Sequence, residues 1–126
     1  MRKISFQTLD SLFSKLARAL AHYTCERCAK KYPENSPGLH TSHFIGRANK
    51  ATRYVLANVD IFCWGCHSWM ETRKPTDYRE WKIKKLGETK FEELIEASRL
   101  TKQWTEPEKQ ELRNNLVKAI EKIESL

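Results

Sequence analysis

Residues 40–67, HTSHFIGRANKATRYVLANVDIFCWGCH, hold most of the side chains that could bind a metal or take part in catalysis in this chain of 126 residues. They include three of its four histidines and two of its four cysteines. Asn58 lies nine residues before His67, and His67 directly follows the second cysteine of a C-x-x-C motif. Another C-x-x-C motif, Cys25 and Cys28, lies upstream. The two motifs therefore bracket His40 and His43, and His67 lies directly after the second motif.

The two C-x-x-C motifs predict one structural zinc site. Its expected ligands are Cys25, Cys28, Cys63 and Cys66. We expect no secretory signal peptide, because Asp10 interrupts the apolar start of the chain, and thiols outside the secretory route favour metal ligation over disulfides. Thirty-four residues, 29–62, separate the two pairs. A zinc ion would close this loop, and four cysteine ligands would leave it no open position for water.

The positive charge of the chain is unevenly distributed. The formal net charge is +7, and residues 1–53 carry ten lysines and arginines against three acidic residues. Residues 54–126 carry thirteen of each sign. This pattern favours a polyanionic partner such as DNA, and a merely soluble basic protein is the alternative. No apolar run approaches the ~20 residues of a membrane span, so we expect a cytoplasmic protein without membrane contact.

The hydrophobic pattern of the first part predicts a helix, a hairpin and a short second helix. Apolar residues at helical spacing predict a helix over 7–23. Residues 39–45 are predicted to form a strand and residues 54–56 the strand that returns, with Asn58 at its end. A short helix is expected from near Cys66 to about residue 73, before a proline.

The last fifty residues are predicted to be helical and show no evident chemistry. One helix should begin at Thr76 and end before Gly87, and another should begin near Thr89. Thr105 and Glu108 form a capping-box pattern at the start of the last helix. An apolar stripe follows, interpreted as core packing with a dimer seam as the alternative. Its residues are Leu112, Leu116, Ile120 and Ile123.

The segment from Cys25 to His67 resembles the HNH endonuclease family, whose pattern runs from a D-H or H-H pair through an asparagine to C-x-x-C-H. HTSHFIGR, then TRY at 52–54 and Asn58-Val59, is most similar to the phage NinG/Rap recombination endonucleases. Those enzymes are associated with cleavage of Holliday junctions and other branched DNA. The likeness covers about forty-five of the 126 residues.

The resemblance implies an α+β fold built on a zinc-stapled ββα-metal module, which is HNH-type and treble-clef-like. The module is expected over residues 25–74. An N-terminal helix over 1–24 would pack on it, and residues 75–126 would add a helical extension within one compact domain.

The resemblance also implies a metal-dependent endonuclease that cleaves Holliday junctions or flaps during phage recombination, in the cytoplasm of a bacterial host. His43 would be the general base, Asn58 the orienting residue and His67 a ligand of a catalytic Mg²⁺ or Mn²⁺. The family places an acidic or histidine ligand directly before the base, where this chain has Ser42. His40 lies on the same face of the predicted strand as Ser42 and is the candidate replacement.

Basic and aromatic residues near the hairpin are candidates for contact with DNA. Arg47, Lys50 and Arg53 are the candidate phosphate contacts. Trp64 could stack on an unpaired base or pack over the zinc. Two other functions stay open: a non-catalytic zinc-stabilised DNA-binding module with a decayed metal site, and an HNH nuclease for restriction or DNA packaging. A homodimer is also open, since paired active sites commonly resolve four-way junctions.

Overall fold

The computed structural model describes residues 3–126 and shows an α+β fold. Within this range, the chain forms five helices and one two-stranded antiparallel sheet. The elements are α1 (Phe6–Leu20), β1 (Leu39–His43), β2 (Val59–Cys63), α2 (Trp64–Thr72), α3 (Pro75–Leu86), α4 (Glu88–Ser98) and α5 (Glu106–Glu124). In this part of the chain, none of the helices has the length and apolar character needed to cross a membrane.

Helix α1 supplies one wall of the core. Leu9, Phe13 and Leu16 recur at helical spacing and are buried. The helix packs against both strands and against α5. The predicted helix over 7–23 is therefore confirmed, although it ends at Leu20 because His22 and Tyr23 adopt left-handed backbone angles.

The two faces of the sheet meet different helices. Strands β1 and β2 pair along their full lengths, and successive residues of β1 point to opposite faces. On one face, the hydroxyls of Thr41 and Ser14 hydrogen-bond and join β1 to α1. On the other face, His40 contacts α2 and Ser42 contacts α3. A single short strand thus presents side chains to three helices.

The predicted position of the second strand is wrong. The strand predicted over 39–45 is confirmed for residues 39–43. Residues 54–56 form no strand, because the chain passes from a turn at Tyr54 into a short 3-10 helix over Leu56–Asn58. The returning strand is Val59–Cys63, so Asn58 precedes it instead of ending it. This strand is buried along its whole length, including its acidic residue. Burial on both faces removes the alternating pattern by which sequence reveals a strand.

The predicted C-terminal helices are confirmed. Helix α3 begins with Pro75 and ends before Gly87, whose φ of +85° is readily adopted by glycine. Thr105 and Glu108 form the predicted capping box at the start of α5. The apolar stripe of α5 lies in or against the core, which confirms the packing interpretation; its residues are Leu112, Leu116, Ile120 and Ile123.

A buried ionic cluster fixes α3 to the sheet. Asp60 of β2 is 0% exposed and accepts hydrogen bonds from Lys82 Nζ at 2.8 Å, Lys85 Nζ at 2.6 Å and the Tyr78 hydroxyl at 2.7 Å. Lys82 is equally buried, and this burial lowers its pKa despite the neighbouring carboxylate. The position of α3 therefore depends on one carboxylate that several donors share.

We expect Asp60→Asn to lower the free energy of unfolding by about 3–5 kcal/mol, because it removes the charge that compensates two ammonium groups. Lys82→Met should cost less, since Lys85 and Tyr78 still satisfy Asp60 and methionine fills similar apolar volume. Urea unfolding at pH 7, followed by far-UV circular dichroism, measures both variants. A larger loss for Lys82→Met than for Asp60→Asn would contradict this account of the cluster.

Candidate functional site

The four cysteine sulfurs come together where β2 meets α2. All four Sγ atoms lie within 4.8 Å of one another; they belong to Cys25, Cys28, Cys63 and Cys66. The sulfurs of Cys28 and Cys63 are 3.9 Å apart. In a tetrahedral site with zinc–sulfur bonds of about 2.3 Å, neighbouring sulfurs are about 3.8 Å apart. The predicted cluster is therefore present, and its donor set and spacing can hold a zinc ion.

Each C-x-x-C motif forms a tight turn. The backbone N–H of Cys66 donates to Cys63 Sγ at 3.5 Å. Ala29 follows Cys28 with a φ of +65°, which reverses the chain within the first motif. Helix α2 begins at Trp64, two residues before its predicted start, because the second turn leads directly into it.

The thiols of the cluster do not ionise equally. Burial raises the pKa of Cys63, but hydrogen bonds from the Cys66 backbone and the neighbouring thiols outweigh it and lower this pKa to about 6. Burial raises the pKa of Cys66 to about 12, although the Arg27 guanidinium donates to its sulfur at 3.4 Å. A divalent cation would stabilise all four thiolates together.

His40 and His67 meet between β1 and α2. Their Nδ1 atoms are 3.0 Å apart, and His67 Nε2 is 3.2 Å from Glu71 Oε1, one turn further along α2. With its Nε2–H donated to the carboxylate, His67 has its lone pair on Nδ1, which can accept a hydrogen bond from His40 Nδ1–H or bind a cation. Two metal–nitrogen bonds of about 2.1 Å at a right angle would place their nitrogens about 3.0 Å apart. The pair is therefore spaced like two adjacent ligands of one ion.

Ser42 makes no contact with this histidine pair among its hydrogen bonds, although it lines the same cleft. Its side chain is 1% exposed, and its Oγ lies 3.1 Å from the Tyr78 hydroxyl in the cluster around Asp60. Within residues 3–126, the cysteine cluster is the only group of three or more metal-binding side chains with donor atoms within 4.8 Å. The histidine pair thus offers two protein ligands and leaves the other positions to water or phosphate.

His43 lies on the opposite face of β1 from His40. Its Nε2 is 3.0 Å from the backbone carbonyl oxygen of Arg53. Because a carbonyl only accepts, Nε2 carries the hydrogen and Nδ1 is left free to take up a proton. Burial lowers the pKa of His43, and the hydrogen bond to Arg53 opposes this only in part. A neutral imidazole with a fixed tautomer results, as a general base at neutral pH requires.

Asn58 fastens the loop that orients His43. The asparagine is 0% exposed, and its side chain exchanges two hydrogen bonds with the backbone of Ile45, at 2.8 and 2.9 Å. Its Nδ2 also donates to the carbonyl of Thr52 at 3.1 Å. Since Thr52 precedes Arg53, the asparagine fixes the segment whose carbonyl binds His43. Its effect on the imidazole is therefore exerted through the backbone.

The three predicted phosphate contacts differ in their surroundings. The Arg53 side chain is 16% exposed, and its Nε and Nη2 donate to the two oxygens of Asp10 at 3.0 and 2.7 Å. The Tyr54 hydroxyl donates to the same carboxylate at 2.8 Å. The Arg47 side chain is 61% exposed, and Lys50 is exposed as well. Arg47 is also within 3.6 Å of Asp10, but its exposure and that of Lys50 leave both accessible to a ligand. Arg53 instead connects α1 to the loop.

One cleft of about 460 Å³ receives the three histidines of the sequence motif, His40, His43 and His67. Asp10 and Glu71 also line it, and sequence reasoning missed both. Glu71 follows His67 by four residues on a predicted helix, a spacing that could have revealed it. No local pattern links Asp10 to Arg53, which lies 43 residues away.

No family model, curated protein or solved structure matches this chain. The likeness to HNH nucleases therefore depends on the motif residues alone. The function must be inferred from the geometry of the cleft and the chemistry of its side chains.

We expect the purified protein to contain one zinc ion per chain and to unfold when the zinc is removed, because the metal closes the segment 29–62. Cys63→Ser should lose both the metal and the cooperative thermal transition. Elemental analysis and circular dichroism, with and without a chelator, measure these effects. A chelated, zinc-free sample that keeps its native spectrum and thermal transition would refute the structural role.

Proposed function

We propose that this protein is a metal-dependent DNA endonuclease of the HNH type. The observation that carries the proposal is one cleft that combines an oriented, neutral His43 with His40 and His67 spaced for a divalent ion. Phosphodiester hydrolysis needs a base to activate water and a cation to stabilise the charge that develops on the phosphate and the leaving oxygen. The cleft offers groups for both tasks.

His40 and His67 would hold the catalytic ion, with Glu71 fixing the ring of His67. A bound Mg²⁺ or Mn²⁺ acts as a Lewis acid on a phosphate oxygen. Magnesium is the proposed physiological ion, and imidazole ligation favours softer ions such as manganese. Because Ser42 is buried in the Asp60 cluster, His40 takes the place of the ligand that the family has directly before its base.

His43 would activate the attacking water. Its Nδ1 accepts a proton while Nε2–H stays bound to the Arg53 carbonyl, so the ring keeps its orientation during the reaction. Water then attacks phosphorus, the ester P–O bond breaks, and the leaving oxygen takes up a proton. Asn58 and Asp10 support this step indirectly, because they bind the Thr52 carbonyl and the Arg53 side chain, next to the carbonyl that binds His43.

The proposed substrate is branched DNA in phage recombination, such as a Holliday junction or a flap. The motif resemblance supports this class, and the concentration of positive charge in residues 1–53 supports a polyanion.

Trp64 is 68% exposed and lies three residues before His67 on α2. An exposed indole one helical turn from the cleft suits stacking on an unpaired base beside a branch point. Paired cuts at a four-way junction would require two copies of the chain.

The proposal is tested by cleavage of a labelled four-way junction, a flap and a plain duplex with Mg²⁺ or Mn²⁺. We expect cleavage of the branched substrates and a loss of at least about 100-fold in His43→Ala, because that variant lacks the base. His22→Ala, which changes an exposed histidine outside the cleft, is the matched control and should retain activity. Binding without cleavage would favour the non-catalytic module. Equal cleavage of plain duplex would favour an HNH nuclease for restriction or packaging.

The same assay across pH tests the state of His43. Burial lowers the pKa of His43 below its ordinary value of about 6.5. The base is protonated and inactive below this lowered pKa, so the rate should rise with pH, reach half of its plateau below about pH 6.5 and be nearly constant above about pH 7.5. A rate that still rises tenfold per pH unit above pH 7 would contradict a neutral His43.

Glu71→Ala should weaken Mn²⁺ binding by about 10- to 100-fold, since loss of a group that orients a metal-binding histidine typically costs this much. Electron paramagnetic resonance of free Mn²⁺ measures the affinity without cleavage. Glu92→Ala removes an exposed carboxylate from α4 and is the matched control. Equal Mn²⁺ affinity of the two variants would exclude Glu71 from the metal site.

A further inference from the structure

We propose that the exposed face of helix α1 is a track for the sugar–phosphate backbone of the DNA strand that leaves the cleft. The track consists of Gln7, Ser11, Ser14 and Arg18, with Arg47 on its opposite side. This inference rests on the proposed function for its ligand class. It adds a surface on α1 to the predicted phosphate contacts Arg47, Lys50 and Arg53, which all lie in the loop between the strands.

A second cleft, of about 520 Å³, extends from the first along α1. The two clefts share Asp10, Ser14 and Arg47 in their linings, so they adjoin each other. The hydroxyl of Ser14 also hydrogen-bonds Thr41 of β1 at 2.7 Å, which ties the helix to the strand carrying His40 and His43. A strand bound beside the histidines can therefore pass directly onto α1.

The residues of the track share one face of the helix. Positions 7, 11, 14 and 18 are separated by four, three and four residues, the spacing of neighbours along a helical face. At 1.5 Å per residue the face is about 16 Å long. This length suits a short run of phosphates of one DNA strand, whose spacing along an extended backbone is larger than the rise of about 3.4 Å per nucleotide in a duplex.

The charge of the track suits an anion. Asp10 is its one acidic lining residue, and the Arg53 guanidinium and Tyr54 hydroxyl occupy both its oxygens. Burial raises the pKa of Asp10, but these contacts and the nearby Arg47 guanidinium outweigh it, hold that pKa below its usual value and offset the charge of the carboxylate. Arg18 and Arg47 then leave the cleft with excess positive charge. Positive charge of this kind attracts a polyphosphate backbone.

The other lining groups fit the backbone better than the bases. Gln7 and Ser11 are exposed, uncharged donors of hydrogen bonds, the side chains that commonly contact phosphate and sugar. Base recognition in a single strand relies on aromatic platforms. The lining residues of this cleft, all within the described chain, include no aromatic side chain. The track would thus position DNA without reading its sequence.

Fluorescence anisotropy of a labelled four-way junction tests the track, with His43→Ala as the parent so that the DNA stays intact. We expect Ser11→Glu to weaken binding by about tenfold at ~0.1 M salt, because it places a carboxylate against the backbone. Arg18→Gln should weaken binding several-fold and reduce the slope of log Kd against log salt by about one. Matched controls on α5, outside both clefts, are Asn115→Glu and Arg113→Gln, which should bind like the parent.

The outcomes separate the track from the nuclease. Cleavage by the chain with intact His43, together with equal binding of Ser11→Glu and Asn115→Glu, would overturn the track and retain the nuclease. An unchanged salt slope in folded Arg18→Gln would likewise overturn the track. Weakened binding of both track variants, without cleavage by any form, would support the track and refute the nuclease. A parent that does not bind DNA would overturn both, and circular dichroism establishes that each variant is folded.

Discussion

The meeting of four cysteine sulfurs at one point is the constraint on which the rest of the structure depends. One pair follows α1, and the other spans the junction of β2 and α2, so a metal here would join three elements at once. Structural zinc sites contribute about 10–16 kcal/mol of apparent binding free energy in small zinc-dependent units. The net stability of a whole domain is only about 5–15 kcal/mol. A metal at this point would therefore determine whether the hairpin persists.

The hairpin also depends on polar contacts that reach it from outside. A two-stranded sheet is marginal by itself, and here Asn58 and Asp60 connect its second strand to the loop and to α3. Asp10 holds Arg53, whose carbonyl in turn holds His43. Each of these hydrogen bonds fixes the orientation of its donor and acceptor groups as well as the distance between them. They explain how a small core can keep one imidazole in a single orientation within an open cleft.

Local patterns predicted the helices and the cysteine pairs because capping residues, apolar spacing and C-x-x-C turns act over a few residues. The returning strand was misplaced for a physical reason. Residues 54–56 have the aromatic and β-branched composition of a strand, whereas Asp60 argues against burial of the true strand. Its burial becomes favourable only through Lys82 and Lys85, which arrive from α3.

The candidate site was predictable where its members belong to a recognisable sequence motif. The motif residues His40, His43 and His67 were named from the sequence, and the fold brings all three to one cleft. The pairing of Asp10 with Arg53 joins residues 43 positions apart, and only tertiary structure reveals it. Because of that pairing, Arg53 connects α1 to His43, the candidate general base, whereas the sequence predicted it to be a phosphate contact in an open loop.

Anomalous X-ray diffraction from crystals soaked in Mn²⁺ would locate both metals directly. Data collected at the zinc and manganese absorption edges should show zinc among the four cysteines. Manganese should lie between His40 Nδ1 and His67 Nδ1, about 2.1 Å from each, as bonds to imidazole nitrogen are. Manganese bound elsewhere, or no manganese peak between the two imidazoles of an otherwise ordered cleft, would contradict a hydrolytic metal site in this protein.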